Sequence, residues 1–157
     1  MKQAHLLHVF PSFETGGAQV RTVILMNALG KAFRHSVVAM NGDYSAGQRL
    51  DAGVDCRTLE PPPASGTLGS ARYFARLLNE LRPDLLLTYN WGAIEAVMGS
   101  IMAPVCPVVH VEDGFGPDEV SGLKARRVWT RRAVLRRIST LAVPSRTLER
   151  IALEQYW

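Results

Sequence analysis

The segment His110-Val111-Glu112-Asp113-Gly114-Phe115-Gly116 sets three ionisable side chains next to one another just ahead of a glycine-rich turn. A histidine can act as acid or base near neutral pH, and a neighbouring carboxylate can orient it or itself accept a proton. If the apolar run before it is a strand, alternation puts His110 and Glu112 on one face and Asp113 on the other. His110 taken alone better suits a half-buried strand histidine with a backbone partner. The H-x-E-D spacing is not that of a metal motif, so no metal is expected.

A second candidate is Pro11-Ser12-Phe13-Glu14-Thr15-Gly16-Gly17-Ala18-Gln19, which leads from an apolar run into a helical pattern. Two consecutive glycines at a helix amino terminus let the backbone approach a ligand closely and present N–H groups to an anion such as a phosphate. Gly16 and Gly17 equally suit a tight strand-to-helix turn with no ligand. The G-x-G-x-x-G and G-x-x-x-x-G-K-[ST] patterns are absent, which argues against a dinucleotide or Walker-type site and against a nicotinamide-dependent oxidoreductase. A third candidate is Tyr89-Asn90-Trp91-Gly92, where an indole ring can cover the apolar face of a sugar while an amide satisfies its hydroxyls. The alternative there is a Trp91 packed under the following helix, with Asn90 as its N-cap.

The formal charge is +4 with a pI near 9.4, but the basicity belongs to one segment. Lys124, Arg126, Arg127, Arg131, Arg132, Arg136 and Arg137 fall within fourteen residues that contain no acid. Arg127 and Arg131 stand at i, i+4, with Val128, Trp129, Val134, Leu135 and Ile138 supplying apolar surface. Such a helix can contact an anionic membrane, bind phosphate, or solvate one face of a domain. Nucleic acid is not expected, because Trp129 alone supplies an interleaved aromatic.

These groups need a scaffold. Short runs rich in Val, Leu and Ile alternate with longer amphipathic stretches, the pattern of a parallel sheet with crossover helices. The pattern predicts strands over 5–10, 35–40, 54–59, 84–89, 107–111 and 140–144, and helices over 17–31, 70–81, 93–102, 119–137 and 145–156. The expected fold is α/β, a Rossmann-like doubly wound, mainly parallel sheet with helices on both faces. In such sheets ligands bind beyond the carboxyl ends of the strands, where all three candidate loops lie.

At 157 residues the chain has room for one domain over 1–157 and no second. With 47% hydrophobic and 20% charged residues and a mean hydropathy of +0.02, it can bury a substantial core. The longest charge-free stretch, 96–111, falls short of the roughly 20 residues of a bilayer span and is broken by Pro104 and Pro107. The amino-terminal apolar run is too short for a signal peptide, so the cytoplasm is the expected compartment. Cys56 and Cys106 lie far apart in no metal-ligand spacing and read as reduced core thiols.

The elements H-V-F-P-S-F-E-T-G-G-A-Q (8–19), P-D-L-L-L-T-Y-N-W-G-A (83–93), V-H-V-E-D-G (109–114) and L-A-V-P-S-R-T-L (141–148), in this order and spacing, closely resemble the amino-terminal half of family 4 glycosyltransferases of the bacterial polysaccharide type. The resemblance spans essentially the whole chain. It implies a GT-B architecture of two Rossmann-like domains across a cleft, the amino-terminal one binding acceptor and the carboxy-terminal one binding donor. It implies retaining transfer from a nucleotide-sugar, a co-substrate rather than a cofactor, to a glycan or lipid-linked acceptor, with no divalent metal. By the same resemblance Gly16 and Gly17 match the glycine loop that approaches the donor diphosphate and reacting sugar. His110, Glu112 and Asp113 match the loop that places a histidine near the transferred sugar; many relatives carry it where this chain has Glu112 or Asp113, and His110 is the first choice here. Asn90 and Trp91 match a strand-end loop facing the cleft, and Ser145 starts the helix that leads toward the second domain.

The family's donor-site signature of paired glutamates has no counterpart here. The resemblance therefore implies that this is the acceptor-side half, with its carboxy-terminal donor domain absent and the piece inactive alone. Exchange of the helix over 145–156 would make a homodimer of that piece, and Arg127 and Arg131 would give it a peripheral contact with the inner membrane face. The alternative is a non-enzymatic Rossmann-like module that holds an anionic ligand or a membrane surface.

Overall fold

Six apolar runs become the six strands of one all-parallel sheet in the computed structural model, which describes residues 3–115, 119 and 122–157. The strands are β1 (Ala4–Phe10), β2 (Phe33–Ala39), β3 (Asp55–Leu59), β4 (Leu85–Tyr89), β5 (Val108–Val111) and β6 (Thr140–Ala142). Their order is β3-β2-β1-β4-β5-β6, that of a Rossmann-like doubly wound sheet, and it reverses direction between β1 and β4. The helices are α1 (Gly17–Leu29), α2 (Gly66–Leu81), α3 (Ile94–Met102), α4 (Ala125–Leu135) and α5 (Arg146–Gln155). No helix of the described residues is long and apolar enough to cross a membrane.

Two-residue alternation along β1 feeds two cores. Leu7 and Val9 pack with Phe74 and Leu78 of α2 and Ala96 of α3. Phe10 points the other way, to Val23 and Met26 of α1 and to Phe13 and Tyr89, and His8 stacks on Phe10 and Tyr89 on that side. A third cluster joins α3, α4 and α5 through Ile94, Val97, Leu135, Ala152 and Tyr156. Helices α2 and α3 meet at Gly99, where a Cβ would stand 2.6 Å from Phe74 Cβ and 2.8 Å from the Ala71 carbonyl. Only a glycine lets the two backbones come that close.

The expected helix over 119–137 is shorter than its periodicity implied. Before α4, Gly122 N–H donates to the Glu119 carbonyl (3.1 Å) and Lys124 N–H to the Glu119 side chain (3.2 Å). The helix starts only at Ala125, and residues 120 and 121 of the expected span lie outside the described residues. At the other end, β6 stops at Ala142, ahead of Pro144. Helix α5 begins at Arg146, capped by Ser145, whose Oγ accepts the Leu148 N–H (3.2 Å). It docks on its own chain through Ala152 and Tyr156, both almost fully buried. Cys56 and Cys106 are free, and burial pushes the Cys56 thiol up to about 11.

Candidate functional site

At the reversal point the loop after β1 meets the loop after β4. A Cβ on Gly92 would lie 2.7 Å from Pro11 Cβ, so glycine is what allows the two loops to touch. Around this contact opens a cavity of about 450 Å³, lined by Pro11, Asn90, Trp91, Asp113, Phe115 and Arg127 among others. Of the expected loop over 112–116, Gly116 lies outside the described residues.

Asn90 is not the helix cap that its position suggests. Its side chain makes no capping bond; Oδ1 instead accepts the Asp113 N–H at 2.8 Å, and its own N–H donates to the Val111 carbonyl at 2.8 Å. Asn90 thereby ties the ends of β4 and β5 together. It does so from a backbone at φ 56°, ψ 179°, a region that side-chain-bearing residues enter only at a cost.

Asp113 follows alternation and turns away from His110 and Glu112. Its Oδ1 pairs with Arg21 Nη2 of α1 at 2.5 Å, which fastens α1 to the cavity wall. Asp113 Oδ2 is buried and has no hydrogen-bond partner among the described residues. Arg21 was not singled out by the sequence analysis, although one helical turn from Gly17 places it at the same edge.

Glu112 is fully buried and faces the protein interior. Its carboxylate accepts two bonds from Arg131 (Nη2 at 2.8 Å and Nε at 3.2 Å) and one from the Tyr156 hydroxyl at 3.2 Å. Burial raises its pKa, with the Arg131 guanidinium opposing the shift. Glu119 joins from the other side, pairing with Arg127 Nη1 at 2.9 Å and Arg131 Nη1 at 3.4 Å. Burial pulls the Glu119 carboxyl up, but bonds from Arg127, the Lys124 N–H and Arg131 outweigh it and hold the group below its ordinary value.

Arg131 therefore corrects the reading of a basic surface. It is 1% exposed, neutralised by two carboxylates, and enclosed by the rings of Trp91, Phe115 and Tyr156 at 5.1 to 5.4 Å. It cannot meet a membrane from there. Arg127 lies over the same Trp91 ring at 5.2 Å. Trp91 is thus held by two guanidinium groups at the cavity wall, with the remainder of its ring partly packed on the α3–α5 cluster.

His110 lies behind this layer, 0% exposed. Its Nδ1 bonds to Thr88 Oγ1 at 2.8 Å, while Nε2 has no hydrogen bond among the described residues and sits 4.0 Å from Glu112 Oε2. Burial, with Arg131 nearby, lowers its pKa to about 3, so the ring is neutral and does not line the cavity. Gly16 and Gly17 stand at the start of α1 at the same sheet edge but outside the cavity wall. Neither glycine is needed for local geometry. Gly16 is extended, a Cβ on Gly17 would meet nothing within 4 Å, and one on Gly16 would meet only the movable end of Gln19. Among the described residues no three ligating side chains converge as a metal site would require. The contributions of Phe115 and Tyr156 carried no sequence signal, since both act by packing across elements.

Residues 16–157 match the family model described as the glycosyl transferase 4-like domain. No curated protein matches the chain. Among solved structures it is similar to a glycosyltransferase from Rickettsia africae (TM-score 0.67, 14% identity), covering 99% of this chain and 40% of that one. It is also similar to a provisionally designated UDP-N-acetylglucosamine 2-epimerase from Listeria monocytogenes (TM-score 0.64, 12% identity), covering 98% of this chain and 42% of that one. At these identities the likeness is one of fold, and the chain spans about two fifths of either protein.

Proposed function

The chain belongs to the glycosyl transferase 4-like domain family, and on that premise we propose that it is the acceptor-side half of a retaining glycosyltransferase. The donor is a nucleotide-sugar held as co-substrate without a divalent metal, and the acceptor is a glycan or lipid-linked sugar that enters the cavity at the β1/β4 reversal. The observation that carries this reading is Asp113. It is the one of the three adjacent ionisable residues that lines the cavity, and its buried Oδ2 lacks a donor among the described residues. A sugar hydroxyl is such a donor. Trp91, braced by two arginines, offers its ring to the apolar side of the sugar.

The three residues then divide the work. Asp113 accepts the hydrogen bond of an acceptor hydroxyl. Glu112 acts at one remove, by fixing Arg131 and through it Trp91. His110 supports the floor beneath them as a neutral ring. The amino terminus of α1 at Gly16-Gly17, with no side chain in the way and no capping side chain, suits an anion such as the donor's diphosphate. The 157 residues supply one wall of the site, and transfer requires a donor-binding domain as well.

The test is transfer from a panel of labelled nucleotide-sugars by the intact gene product, beside the 157-residue chain alone. Transfer by the intact protein, lowered at least tenfold in kcat/KM by Asp113→Asn and by Trp91→Ala, is the expected result. Absence of transfer or donor hydrolysis with every nucleotide-sugar, or full activity in both variants, would overturn it.

A further inference from the structure

Helix α4 divides its arginines between two sides. Arg131 is turned inward, and Arg127 pairs with Glu119. Arg126, together with Arg136 and Arg137 in the turn just past the helix, faces solvent, and Arg136 Nε also donates to the Trp157 carbonyl at 3.3 Å. Trp129 lies on that outer side, 67% exposed, with the Arg132 guanidinium 5.1 Å over its ring. Helical spacing aligns Arg126, Trp129 and Ala133 as one stripe along the outside of the helix, and Arg137 follows in the turn after its end. The stripe borders an open, largely apolar groove of about 440 Å³ between α2, α3 and α4, whose rim includes Arg137. In that groove Leu68 and Met102 are 58% and 52% exposed.

Exposed apolar side chains scattered over a surface need no explanation, but here they adjoin a run of cations with no acid from 124 to 137. A surface that is anionic outside and apolar a few ångströms deeper satisfies both halves of this patch at once. We propose that the outer face of α4, with the groove beside it, docks on an anionic lipid surface. Arg126, Arg136 and Arg137 meet the headgroups, while Trp129, Leu68 and Met102 enter the interfacial layer. A nucleic acid would pair with the arginines but leave the tryptophan, leucine and methionine in water, so it fits only half of the patch. The inference does not depend on glycosyl transfer, since it uses none of the cavity residues.

Sedimentation of the 157-residue chain with phosphatidylcholine vesicles, with and without phosphatidylglycerol, tests it. Binding is expected only with phosphatidylglycerol and is lost at high salt. Arg126→Gln and Arg137→Gln should each weaken partition about fivefold, and Trp129→Ala should weaken it further without changing its salt dependence. Circular dichroism identifies any variant that fails to fold, and Leu68→Ser then serves as a second apolar probe on a different helix. Equal partition with both vesicle types, partition unchanged in the arginine double variant, or binding to duplex DNA without binding to vesicles would each overturn the proposal.

Discussion

Arg131 and Glu112, nineteen residues apart in sequence, form a two-pronged ion pair almost sealed from water, at 2.8 and 3.2 Å. The pair links α4 to the end of β5, and the Tyr156 hydroxyl closes it from the end of α5. A buried charge left without its partner is costly, whereas a pair removed together is much less so.

Arg131→Met should therefore lower unfolding stability by about 3–5 kcal/mol, read from urea denaturation. Adding Glu112→Gln should recover part of that loss, because the second change removes the carboxylate left uncompensated. If the double variant is no more stable than Arg131→Met, the pair is not the source of the effect.

The backbone at Asn90 makes a second prediction. Asn90→Gly and Asn90→Ala both remove the acceptor of the Asp113 N–H, but only glycine relieves the positive φ of 56°. Asn90→Ala should be the less stable of the two by about 1–3 kcal/mol. Equal unfolding midpoints would mean that the residue is not strained.

Two glycines should respond in opposite ways. Gly99→Ala forces α2 and α3 apart at a 2.6 Å contact and should cost about 1–3 kcal/mol. Gly17→Ala meets open space and should leave the melting temperature unchanged or raised, while lowering kcat/KM of the intact gene product if the donor's diphosphate approaches there. Undiminished activity in Gly17→Ala would remove that glycine from the proposed site.

Acid should destabilise the fold through its histidines. Burial lowers His8 and His110 from 6.5 to about 3, so between these values the unfolded chain binds protons that the folded one refuses. Stability is then fully present above pH 6.5 and falls as the pH drops toward 3, by up to about 1.4 kcal/mol per pH unit for each histidine. Urea unfolding at pH 7.5 and 5.5 should show the loss, and His110→Asn should flatten it. A slope that is the same in this variant would mean that His110 is not buried as a neutral ring.

The parallel sheet was legible because strand runs such as Leu85–Tyr89 and Val108–Val111 are mostly apolar, with Thr88 and His110 paired to each other, and burial on both faces leaves that mark on a sequence. Helix ends were less legible. Ahead of α4, Glu119 accepts from the N–H groups of Gly122 and Lys124, bonds that helical periodicity does not register. Of the site, alternation correctly separated Asp113 from His110 and Glu112. It could not say which side faced the cavity, because that depends on which helices cover each face of the sheet.

By itself, then, the amino-acid sequence determined the element order, the edge of the sheet where the candidate loops gather, and the resemblance that the family match bears out. Only the tertiary structure decided the fate of each charged side chain there. Arg131 reads as one more cation on a basic helix and Glu112 as one more acid in a loop until folding brings them within 2.8 Å. Periodicity is a local property, set by the 3.6-residue turn and the two-residue pleat. The charge a side chain shows to a ligand depends instead on partners from distant elements, and on how much water packing leaves between them.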